Sequence, residues 1–184
     1  MFNDKYGLTD AVLDGRKTMT RRISKEQIRN SVFWKSGYES IHGYEIKPIY
    51  EIGEVVAIAQ SYSDCGNMPD FGLDEDGYPI MPKNSGFFNK MFVRANLMPH
   101  HIRVTDVKVE RLQDISDGDC LKEGIEEHLK GVQYGFSSNI GYCEQYPFSD
   151  PRDAFASLID KVSGKGTWSS NPYVFCYSFE LIEK

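Results

Sequence analysis

This chain of 184 residues offers few residues for metal or disulfide chemistry. Its four cysteines (Cys65, Cys120, Cys143 and Cys176) form no C-x-x-C pair, and its four histidines (His42, His100, His101 and His128) show no ligand spacing. No zinc signature is present, so reduced structural thiols are expected, and neither a metal nor a cofactor. No run approaches the roughly 20 apolar residues of a membrane span. The opening MFNDKYGLTD lacks the apolar centre of a signal peptide. These absences lead to the expectation of a soluble, cytoplasmic protein with no membrane partner. Internal repeats and low-complexity segments are absent too. The net charge is −6, which argues against binding nucleic acid or membrane through the whole surface.

The composition is 40% hydrophobic and 13% aromatic, enough for a sizeable core. The length suits one domain over residues 1–184. Against the acidic background, one stretch is basic: DGRKTMTRR, from Asp14 to Arg22, holds Arg16, Lys17, Arg21 and Arg22 with two threonines between them. These cations can simply complement a helix dipole or sit solvated on a strand. Alternatively they form an anion or nucleotide site, with arginine forks for phosphate and a lysine point charge. A threonine hydroxyl there can bind a ligand, or act as nucleophile if a base lies nearby. In a regular strand Thr18, Thr20 and Arg22 face one way and Lys17, Met19 and Arg21 the other. Lys17 and Thr20 therefore converge only if the chain bends near Lys17, which Gly15 permits.

The pattern along the chain alternates helices with non-local strands, an α+β arrangement. LTDAVLDGRK reads as a short helix with Thr9 as N-cap and Gly15 as stop. KTMTRR follows as a strand and KEQIRNSVFW as a brief helix. YEIKPIY and EVVAIAQSY are strand candidates, with VVAIA apolar enough to be covered on both faces. Residues 63–86 form a long polar loop inserted in the core pattern. HHIRVTDVKVERLQ is the clearest strand. Its apolar phase slips at Thr105–Asp106, which predicts a β-bulge or bend in a small curled barrel. DISDGDCLKEGIEEHL reads as helical, capped by Ser116 and interrupted at Gly124. A second long loop covers about 131–149. SDPRDAFASLIDKVSG is a helix capped by Asp150, with Phe155, Leu158, Ile159 and Val162 in one stripe. PYVFCYSFELI is the last strand. Trp34 and Trp168 read as packing residues, either of which can stack on a base. The acidic Asp74–Asp76 run reads as solvated, and Glu123 taken alone as an ordinary exposed helical carboxylate.

AVLDGRKTMTRR, GEVVAIAQSY, IRVTDVKVERLQDISDGDCLKEGI and NPYVFCYSFELI occur in the order expected of ASCH-domain proteins, and the chain resembles the phage and bacterial branch of that family. The resemblance implies a PUA-like fold, a small curled mixed β-barrel with flanking helices. It implies a basic cleft that binds RNA, a nucleotide or a modified nucleoside through Arg16, Lys17, Arg21 and Arg22. The chain is also similar to small bacterial amidohydrolases acting on N4-acetylcytidine, whose catalytic set is a Lys-x-x-Thr pair and a glutamate. Here that set falls on Lys17, Thr20 and Glu123. Where the branch has a tryptophan and an acid after the GE turn, this chain has Ala57 and Gln60.

Overall fold

The structure, a computed structural model, describes residues 2–24, 38–40, 42, 45–67, 69–78, 80, 86–137 and 147–183. The segment expected as a brief helix over residues 25–34, which includes Trp34, lies outside the described residues, as does Cys143.

A single 3₁₀ turn at Asp4–Tyr6 leads into α1 (Leu8–Leu13), followed by β1 (Met19–Ile23). Three short strands come next, β2 (Tyr38–Glu39), β3 (Glu45–Ile46) and β4 (Val55–Ala57), and then a single-turn helix α2 (Tyr62–Cys65). The long strand β5 (His100–Arg111) precedes α3 (Asp117–Lys122), which is followed by the ribbon β6 (Glu126–His128) and β7 (Gln133–Gly135). Helices α4 (Pro151–Ser163) and α5 (Thr167–Ser170) bring the chain to β8 (Tyr173–Glu183). The main sheet is antiparallel with order β1-β8-β5-β4, so β1 and β4 are its edges among the described residues. β2-β3 and β6-β7 form separate two-stranded ribbons, and Ile46 of β3 packs on the Val104–Phe175–Tyr177 cluster of the main sheet.

β8 explains why this sheet is buried on both sides. Tyr173, Phe175, Tyr177, Phe179 and Leu181 make one face apolar throughout, and the other face opens with Val174 and Cys176, so both take a cover there. On one side Val174 joins Leu112, Ile115, Cys120, Phe136 and the α4 stripe of Phe155, Leu158 and Ile159. On the other, Phe175 and Tyr177 pack with Val104, and Phe179 packs with Val12, Ile58 and Ile102. α4 starts where Asp150 accepts from the Arg152 and Asp153 amides, with Pro151 in the first turn. Ser116 caps α3 by accepting from the Asp119 amide.

The expected phase slip is a bulge. Val104 pairs with Phe179 while Asp106 pairs with Ser178, leaving Thr105 unpaired. The extra residue returns Val107 and Val109 to the same apolar cluster as Val104.

Several local expectations are corrected. Gly7, with φ 64°, caps α1, and Thr9 lies buried inside the helix, where its hydroxyl accepts from Lys90. VVAIA is not covered on both faces: only Val55–Ala57 pairs, and Val55 is exposed. Among the described residues YEIKPIY contributes only Glu45–Ile46 to a strand. α3 ends at Lys122, and IEEHL turns into β6 instead of continuing the helix. The second loop contains β7, paired with β6 and bridged from Tyr134 to Phe148. No helix among the described residues is long and apolar enough to cross a membrane.

Candidate active site

The bend that the sequence required at Lys17 is built by backbone hydrogen bonds. α1 closes with the Asp14 amide donating to Asp10 and the Gly15 amide to Val12. Gly15 then takes φ 74°, and the Lys17 amide folds back onto the Ala11 carbonyl at 2.8 Å. The Thr18 amide donates to the Lys122 carbonyl at 2.9 Å, which pins this segment to the end of α3. Glu123 is the residue that closes α3, its amide bonded to the Asp119 and Cys120 carbonyls. Lys17 and Glu123 are thus delivered to one point by two helix ends.

There the Lys17 ammonium donates to Glu123 Oε2 and to the Glu123 carbonyl, both at 2.7 Å. Arg21 shares the same carboxylate, its Nη1 lying 3.1 Å from Glu123 Oε1. The rest of its guanidinium is taken by Glu110 Oε1, at 2.9 Å from Nε and 2.5 Å from Nη2, and by Asp119 Oδ2 at 3.3 Å. Lys108 bridges Glu110 and Asp119 at 2.9 and 3.4 Å, and Lys122 reaches Asp119 at 3.3 Å. Four cations therefore interlock with three carboxylates, and Lys17, Arg21 and Glu123 are all buried.

Burial decides the protonation chemistry. It strips the Lys17 ammonium of water and lowers its pKa from the ordinary 10.5; the Glu123 carboxylate offsets this only in part, and Arg22 and Arg21 push the same way as burial. Burial also acts against the Arg21 charge, but Glu123 and Glu110 outweigh it, and that pKa is raised. The buried thiols Cys120 and Cys176 are pushed up to about 12, chiefly by desolvation, so neither supplies a thiolate at neutral pH.

Lys17, Thr20, Arg21, Arg22 and Glu123 line one cavity of about 690 Å³. That size is typical of small-molecule sites. Its other wall is apolar, formed by Leu8 and by Phe155, Leu158, Ile159 and Val162 of α4. Thr20 and Arg21 point to opposite faces of β1, as the alternation requires. They reach a common cavity because β1 is a sheet edge among the described residues, and the cavity wraps around it. Thr20 is half-buried, and no hydrogen bond engages its hydroxyl among the described residues.

The other expected residues are placed as follows. Arg16 pairs with Asp14 and Glu126 and lines a separate surface pocket with Leu121 and Ile125, not the main cavity. Arg21 lines the cavity, but its donors are occupied by carboxylates. Glu123 is buried, not the exposed helical carboxylate that its local sequence suggests. Ala57 lines a small adjoining pocket with Thr20 and Arg22, and Gln60 is buried with no partner for its Oε1. Among the described residues no group of His, Cys, Asp and Glu is placed to hold a metal.

Glu110, Asp119 and Lys108 escaped the sequence reading. Arg21 pairs with Cys176, and Cys176 with Lys108, so these three form one row across the sheet and share a face. Only the strand order makes that row visible. Phe2, Phe88 and Lys90 also line the cavity, and no motif signalled them.

No family model matches the chain, and no curated protein matches it. Among solved structures, the chain is similar to the crystal structure of an Enterococcus faecalis V583 protein assigned to the DUF984 family. The TM-score is 0.39 at 14% identity, covering 100% of this chain and 78% of that one.

Proposed function

We propose that this chain is a small amidohydrolase that removes the acyl group from N4-acylated cytidines, built on a single PUA-like ASCH domain with insertions at about 63–86 and 131–149. One observation carries the reading: a buried lysine of lowered pKa, held by a glutamate, shares a cavity with a threonine whose hydroxyl is unengaged among the described residues. Lys17, Thr20 and Glu123, the residues that the family resemblance selects, are among those lining that cavity, which supports the reading.

The chemistry balances with water as the only co-reactant. Thr20 Oγ adds to the acyl carbonyl while its proton passes to the neutral Lys17 amine. Collapse of the adduct breaks the carbonyl–N4 bond, and Lys17 returns the proton to the departing cytosine amine. This leaves the acyl group as an ester on Thr20. Water, deprotonated by the same amine, cleaves that ester, releasing the carboxylic acid and restoring Thr20. Glu123 holds the Lys17 nitrogen in place through both steps and supports its charge when protonated. Arg21, buried behind Glu123, fixes that carboxylate.

A second reading, binding of RNA or a nucleotide in a basic cleft, is favoured by the presence of Arg22 beside Lys17 and Arg21 in the cavity wall. Incubation with N4-acetylcytidine, with cytidine and acetate followed by NMR, separates the two. Hydrolysis supports the enzyme. Absence of hydrolysis, with tight oligonucleotide binding that weakens steeply in salt, supports the binding module.

A further inference from the structure

The cavity has a rim that the proposed chemistry does not use. Phe88 and Lys90 line it together with Lys17, Thr20 and Glu123, yet Phe88 is 80% exposed. A lone exposed phenylalanine is unremarkable on a protein surface. What distinguishes Phe88 is how firmly its segment is held. Tyr62 grips both ends of residues 86–94: its amide donates to the Gly86 carbonyl at 2.8 Å, and its hydroxyl accepts from the Arg94 amide at 2.9 Å. Gly86 has φ 83°, and a Cβ there would fall 2.5 Å from the Tyr62 ring, so only glycine lets the chain lie against it.

Between those ends the Lys90 ammonium is buried, bonded to the Asp4 carboxylate and to Thr9 Oγ1 on α1 at 2.5 Å. Phe92 adopts φ 65°, a conformation that a bulky L residue rarely takes. The segment thus spends a buried charge and a strained residue, and it buries neither Phe88 nor Phe92 in return. The Phe88 ring is braced edge-on by Phe87 at 4.5 Å and 89°.

We infer that Phe88 is the base-stacking residue of this site: the pyrimidine ring of the ligand lies on the Phe88 ring while the polar group attached to the base points to Lys17 and Thr20. The inference rests on the proposed cytidine chemistry for the identity of the ligand. Charged and polar groups line the cavity wall around Lys17, where an amide is accommodated, and the exposed aromatic at the rim offers a π-face that any planar base can use. Lys90 acts as a positioning residue that fixes the segment to α1.

The test uses two readouts on the full chain. Cytidine, which lacks the acyl group, is titrated by calorimetry into the wild type, Phe88→Ala and Phe88→Trp. N4-acetylcytidine turnover is measured on the same proteins. Phe88 makes no core contact, so circular dichroism is expected to be unchanged in both variants. Stacking predicts cytidine affinity at least about tenfold weaker in Phe88→Ala and retained in Phe88→Trp. It also predicts a matching rise in KM with little change in kcat. Phe88-dependent cytidine binding without turnover would support the stacking role and remove the hydrolase. Turnover with cytidine affinity and KM unchanged in Phe88→Ala would overturn the stacking role and leave the hydrolase standing. A wild type that binds no cytidine would overturn the stacking role.

Discussion

Lys17 and Glu123 stand 106 positions apart in the chain and meet at 2.7 Å, each with at most a twentieth of its side chain exposed. Glu123→Gln preserves the shape of this contact and removes its charge. Lys17 then loses its only carboxylate partner among the described residues, whereas Arg21 keeps Glu110 and Asp119. Breaking a buried pair from one side costs about 3–5 kcal/mol, and the lower end is expected because Arg21 stays compensated. Urea denaturation of the variant measures it; a loss under about 1 kcal/mol would mean that the pair is not the buried ion pair described.

The Lys17 pKa sets a pH signature. Its folded value lies below 10.5, so between that value and 10.5 the unfolded chain binds more protons at this site than the native one. Stability from this group therefore rises with pH across that window. The neutral amine is also the active base, so kcat/KM is expected to climb on the alkaline side with an inflection below 10.5. An inflection at or above 10.5 would contradict a desolvated lysine in this role.

Arg21 is expected to behave as a structural cation. Its guanidinium spans Glu110, Asp119 and Glu123, a geometry that a lysine point charge cannot reproduce. Arg21→Lys is expected to lower stability by about 1–3 kcal/mol, and Arg21→Ala by about 3–5 kcal/mol. Denaturant titration checks both. A stable Arg21→Ala protein that loses only nucleotide affinity would instead make Arg21 a ligand contact.

Gly124 carries a second constraint on the site. With φ 100°, an added Cβ would sit 3.2 Å from Leu8 Cδ2 and 3.5 Å from Lys17 Cδ. Gly124→Ala is expected to cost about 1–3 kcal/mol through backbone strain. It is also expected to reduce activity by displacing the lysine stem. Thermal melting and turnover of the same sample test this; an alanine variant with wild-type melting would show that the turn relaxes freely.

Much of the fold is legible in the sequence because it is locally encoded. Asp150 and Pro151 announce α4, Ser116 announces α3, and the slipped phase at Thr105 announces the bulge that the register shift places there. Where local preference and tertiary context compete, the sequence misleads. Thr9 has the chemistry of an N-cap but is taken up by Lys90, and IEEHL has helical character but pairs as β6 once Gly124 turns the chain. The site divides the same way. Lys17 and Thr20 stand out as a spaced pair, and the bend they need is signalled by Gly15. Glu123 is ordinary by composition and stands out only through the family resemblance. Glu110 and Asp119 become partners of Arg21 through the β1-β8-β5 order, which no short window of sequence contains.

The most direct measurement is release of cytidine from N4-acetylcytidine by the wild type, Lys17→Met and Thr20→Ala, with folding verified for each. Thr20 is half-buried and its hydroxyl is unengaged among the described residues, so Thr20→Ala is expected to keep stability within about 1 kcal/mol. The account predicts turnover by the wild type and loss of at least about a hundredfold in each variant. No release by the wild type, or release undiminished in both variants, would contradict it.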